Sequence, residues 1–168
     1  MPRTFVGLAI GNLIVVVAAG VVGMMRVADP SYHVVLAVFA LLVTCVVQVL
    51  LFTYFTVSGK VLAEAVHLGR LDAAPLARIA VRKRSNTRML GAVIVALVLV
   101  TATGASSWRG GEASPWHYAA AGLIVTVLVM AFVRQYALVV ENSRELEGVM
   151  SEYAQARRGS ADSGSGSV

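Results

Sequence analysis

Four long apolar runs, almost free of charge, set the pattern of this chain: residues 5–25, 34–57, 89–105 and 118–140. The first holds only Asn12 as a strongly polar group, and the second holds Thr44, Gln48, Thr53 and Thr56. The third is interrupted by Thr101 and Thr103, and the fourth carries one charge, Arg134. A helix rises about 1.5 Å per residue, so about 20 residues cross a hydrocarbon layer about 30 Å thick. The first two runs reach that length outright. The third is near the lower limit, and the fourth reaches it with Arg134 snorkelling toward headgroups. The apolar residues are continuous rather than alternating, which excludes barrel strands. The pattern therefore predicts an all-α integral membrane four-helix bundle.

Beyond the runs the helical pattern continues. From Ser58 to Leu71 the apolar residues Val61, Leu62, Ala65, Val66 and Leu68 suit one helical face. The stretch Leu71-Asp72-Ala73-Ala74-Pro75 then supplies a break, with Asp72 as an N-cap and Pro75 in a first turn. No breaker separates Leu76 from the third run, so residues 58–88 read as a helical hairpin projecting from the bilayer. The fourth helix extends likewise over 141–157, with Val139, Leu146, Met150 and Tyr153 forming a narrow apolar seam. Glu141, Glu145, Glu147 and Glu152 lie on this extension, within reach of the basic hairpin. Residues 1–157 thus form one membrane domain, and the Gly- and Ser-rich residues 158–168 are expected to be disordered. Short turns at Ala28-Asp29-Pro30-Ser31 and between Gly104 and Ser114 close the other end, with Trp108, Trp116, Tyr32 and Tyr118 as an aromatic belt.

Composition and charge sharpen this picture. The chain has 168 residues, 58% hydrophobic and only 14% charged, too few ionic groups to cover a soluble surface. The formal charge of +5 does not point to nucleic acid, because the basic residues gather beside apolar segments. That placement points to anionic lipid headgroups and to topology. Lys60, Arg70, Arg78, Arg82, Lys83, Arg84 and Arg88 fall between the second and third runs. Arg3 precedes the first, and Arg144, Arg157 and Arg158 follow the fourth, whereas the other two loops hold only Arg26 and Arg109. Positive residues stay inside, so both termini and the hairpin are expected in the cytoplasm. The first run is longer than a signal-peptide core and lacks a clean cleavage site, which favours a retained anchor. The single cysteine, Cys45, excludes an internal disulfide and reads as a small hydrophobe.

Few residues can carry chemistry. Hydrolase, kinase, P-loop and zinc signatures are absent, and no Asp or Glu falls inside a predicted span. An ion-coupled pump needs such a partner in lipid, so a pump is disfavoured and a passive pore remains open. His33 and His117 begin the second and fourth spans at matching depth. They sit there either without a ligand among aromatics, or as axial ligands of a haem b or of one metal ion. His67 lies alone on the hairpin. Asn12 and Gln48 read as interhelical hydrogen-bonding glue or pore lining, and Arg134 as a snorkelling residue or part of an anion path. Gly7-x-x-x-Gly11, followed by Ala19-x-x-x-Gly23, offers a face for close helix approach.

Phe52-Thr53-Tyr54-Phe55 with Gly59-Lys60 and Glu64, followed by the basic run that opens the third span, resembles small bacterial four-span membrane proteins of unassigned function. The resemblance covers about forty residues and implies no activity and no site. With the Ala- and Val-rich composition it is compatible with a bacterial inner membrane. The sequence favours a non-enzymatic protein acting by helix assembly, as a homo-oligomer or as an accessory subunit of a membrane complex. A passive oligomeric channel and a b-type haem protein using His33 and His117 are the alternatives.

Overall fold

In apolar surroundings a backbone must bond to itself, and each apolar run resolves into one continuous helix. The computed structural model describes residues 2–25, 30–107 and 115–164. Helix α1 spans Pro2–Met24, α2 Pro30–Gly69, α3 Ala74–Ser107 and α4 Pro115–Gly164. Three of them open on proline, which lacks the N–H that a first turn leaves unpaired. All four are long and apolar enough to cross a membrane, giving a multi-pass all-α bundle. Of the expected turns at 28–31 and 104–114, residues 28–29 and 108–114, with Trp108 and Arg109, lie outside the described residues, whereas Pro30 and Ser31 open α2 and residues 104–107 continue α3.

Helix α2 has 40 residues, hence about 60 Å of length, twice what hydrocarbon requires. Its C-terminal part packs against α3 and α4. Leu62, Ala65 and Val66 of α2 meet Ile79 of α3 and Val149 of α4 in a second apolar cluster, separate from the main core. Two expectations about faces need correction. Val61 and Leu68 are exposed, so the buried face of this stretch is narrower than the sequence pattern predicts. On α4, Val149 rather than Met150 is buried, because the seam runs Leu128, Gln135, Asn142, Val149 at intervals of seven. Helix α4 also continues to Gly164, past the expected end at 157, and residues 165–168 lie outside the described residues. Propagation adds one hydrogen bond per residue, and Gly159 alone does not stop it.

The turn between α2 and α3 is fixed by backbone bonds. Leu71 N–H donates to the Val66 carbonyl at 3.1 Å and Arg70 N–H to His67 at 3.4 Å, the paired bonds of a Schellman cap. Arg70 accordingly adopts a left-handed φ of 50°. Asp72 then accepts the Ala74 N–H at 3.1 Å, the capping role its position suggests.

Around the bundle α1 packs on α2, α2 on α3, α3 on α4 and α4 on α1, while α2 also touches α4 across the diagonal. Helices α1 and α3 do not touch. Thr44, Gln48, Leu51, Phe55, Ser58, Leu62 and Ala65 of α2 are all buried and alternate by four and three residues. That spacing is the seam of left-handed helix packing, and here it carries polar residues as well as apolar ones.

Candidate functional site

Polar side chains enter the interior at successive levels along this seam. Near one end, Thr44 Oγ1 lies 2.9 Å from Asn12 Oδ1 and 2.8 Å from the Ala40 carbonyl. One hydroxyl hydrogen cannot serve both. The pair is satisfied with the Asn12 amide turned so that its NH2 donates to Thr44, which donates to Ala40. At the next level Gln135 Nε2 of α4 donates to Gln48 Oε1 of α2 at 2.9 Å and to Asn86 Oδ1 of α3 at 3.1 Å. All three amides are buried, and Gln48 Nε2, Asn86 Nδ2 and Gln135 Oε1 find no partner among the described residues. Further along, Asn142 Nδ2 donates to Ser58 Oγ at 2.9 Å, and Tyr54 and Ser143 share a hydrogen bond of 3.0 Å. Each level joins two or three different helices.

Beyond these amides the interior gives way to charge at the helix surface. Arg78 donates to Glu145 at 2.5 Å, Arg82 donates to Glu141 at 3.3 Å, and Arg82 also pairs with Glu145. Burial acts to raise the Glu145 pKa, but the hydrogen bonds and charges of Arg82 and Arg78 outweigh it and hold the carboxyl below its ordinary value. The opposite face of α3 carries Lys83, Arg84, Thr87 and Arg88 around an open recess of about 520 Å³. Lys83 Nζ there stands 5.7 Å from the Phe52 ring. Arg134 is exposed on the bundle surface beside this level and makes no ion pair among the described residues.

At the far end the two histidines meet. His33 of α2 and His117 of α4 come together with ring centroids 6.2 Å apart and planes at 80°. His33 Nδ1 lies 3.1 Å from the Ala19 carbonyl of α1. A Cβ on Gly23 would fall 2.6 Å from His33 Cε1, and one on Gly104 would fall 3.0 Å from His117 Cε1. Tyr32 and Trp116 are exposed beside them. Among the described residues no group of three or more His, Cys, Asp or Glu gathers to hold a metal ion. No family model, no curated protein and no solved structure matches this chain.

The small residues of α1 therefore divide into two sets. Ala19 and Gly23 are used within the chain, against His33, whereas Gly7 and Gly11 have nothing within 4 Å of where a Cβ would stand. His67 stays on the α2 extension, away from the other two histidines. Asn86, Ser58, Asn142 and Gln135 escaped sequence reasoning as interior polar residues. The signal that finds them is the seven-residue interval: Ile79, Asn86 and Val93 on α3, and the buried α4 series already given.

Proposed function

We propose that the protein is a non-enzymatic integral membrane subunit that works by helix assembly, joining a second copy or another membrane chain through α1. The observation that carries this reading is the open face at Gly7 and Gly11. Ile14 continues the same stripe and is 63% exposed. In lipid no hydrophobic force brings helices together, so close backbone approach over small residues supplies much of the attraction. The channel alternative finds less support. An oligomeric pore lined by Asn12 or Gln48 would have to break their bonds to Thr44 and Gln135 inside one bundle.

The same reading places the chain in a bacterial inner membrane with both ends and the α2–α3 turn in the cytoplasm. Its support is the clustering of Arg and Lys at that end, where Lys83, Arg84 and Arg88 line a recess next to the apolar stretch of α3. Anionic headgroups are the partners expected there.

Native mass measurement in mild detergent tests the assembly. Wild type is expected to run as more than one copy or with a co-purifying chain, and Gly7→Leu with Gly11→Leu is expected to run as a single chain. A wild type that is strictly monomeric and brings down nothing from its native membrane contradicts the proposal.

A further inference from the structure

The two helical hairpins repeat one device at the end of the bundle opposite the α2–α3 turn. In the first, Ala19 and, four residues later, Gly23 flank the His33 imidazole. In the second, Gly104 of α3 abuts the His117 ring, whose Nδ1 is buried and has no hydrogen-bond partner among the described residues. The imidazoles come from α2 and α4, which face each other across the diagonal. The glycines come from α1 and α3, which do not touch. One diagonal therefore supplies two ring nitrogens, and the other supplies two helices without side chains at the same level. We propose that His33 and His117 are the two axial ligands of a b-type haem seated at this end of the bundle.

Three features carry the assignment. An imidazole nitrogen binds a metal at about 2.0–2.1 Å, and the ring centre lies about 1.1 Å further back, so two trans imidazoles on one metal have centroids about 6.3 Å apart. The observed separation is 6.2 Å. Next, the donor set suits the group: it is a pair of imidazoles, and among the described residues no group of three or more His, Cys, Asp or Glu gathers. A haem brings four nitrogens of its own and asks the protein for two. Finally, His33 Nδ1 is engaged with a backbone carbonyl, the contact that fixes the tautomer of a metal-ligating histidine and leaves Nε2 for the metal. With both axial positions filled by histidine, the iron would have no open site, and the group would carry electrons rather than bind oxygen.

The site stands or falls independently of how the chain assembles. The full-length protein purified in detergent from haem-sufficient cells is expected to show a Soret band and close to one haem per chain. His33→Leu and His117→Leu are each expected to lower haem content at least tenfold. His117→Met is expected to keep the haem with a raised reduction potential, which a variant that had merely failed to fold could not show. Gly7→Leu, remote from the site, is expected to keep full haem content whatever its mass. A colourless wild type that also fails to take up added haemin overturns the assignment. So does full haem retention in both leucine variants, or stoichiometric zinc or copper without a Soret band.

Discussion

Replacing Gln135 by leucine is expected to destabilise the bundle by about 2 kcal/mol, among the largest effects of any single change in the interior. The side chain is 0% exposed and is the only donor described for Gln48 Oε1 and Asn86 Oδ1. Both partners already have an unpartnered NH2 group, so the substitution leaves two buried amides with no bond at all. Each orphaned amide costs about 1–3 kcal/mol in a buried setting, reduced where the unfolded chain in lipid finds other partners. The triple replacement of Gln48, Asn86 and Gln135 by leucine is expected to recover part of the loss, because no polar group then stays behind. Reversible unfolding in detergent, comparing the single and triple variants, reads both numbers. A single variant within 0.5 kcal/mol of wild type would show that the amide cluster does not hold α2, α3 and α4 together.

Glu145→Leu is expected to cost about 1–3 kcal/mol near neutral pH, between the values for exposed and buried ion pairs. The Glu145 side chain is 9% exposed and Arg82 15%, so losing the carboxylate strips Arg82 of its more buried partner. Arg78 is 55% exposed and contributes little of this, since water replaces its partner. The pH dependence has a definite sign. A carboxyl whose folded pKa lies below its unfolded one stabilises the fold above the unfolded value, and that contribution disappears as pH falls through the folded one. Wild type is therefore expected to lose stability with acid below the ordinary glutamate range, and Glu145→Gln to show a flatter acid limb. Thermal unfolding of both between neutral and acidic pH checks this. Parallel curves would mean that Glu145 gains nothing from Arg82 and Arg78.

Helix positions were legible because bilayer thickness sets a minimum length for each apolar run. The 34–57 and 118–140 runs fall wholly inside α2 and α4. The continuation of the helices past the apolar runs was legible for a different reason: no proline interrupts the chain between Leu76 and Met89, or after Val140. Faces were harder to read. In a span that is apolar on every side, hydrophobicity does not say which residues point inward, and Gly7 and Gly23 look alike in the sequence although only Gly23 meets a neighbour. Polar residues carry that information instead. Gln48 was visible by its mid-span position, but its partner Gln135 sits beside Arg134, and Asn86, which also accepts from Gln135, sits among basic residues, where an amide looks solvated. The histidines were readable as a pair because both open their helices. Their closeness and the two glycines needed the fold.

The most direct test of the topology uses a membrane-impermeant maleimide on right-side-out spheroplasts. Two single-cysteine chains, Trp116→Cys and Ser151→Cys, are made in a Cys45→Ala background. Both positions are exposed on α4, on either side of its apolar stretch. Position 116 is expected to be labelled in intact spheroplasts, and position 151 only after the membrane is opened. Labelling of position 151 in intact spheroplasts, or equal labelling of both, would contradict a bundle that crosses the membrane with its charged helical extensions on the inner side.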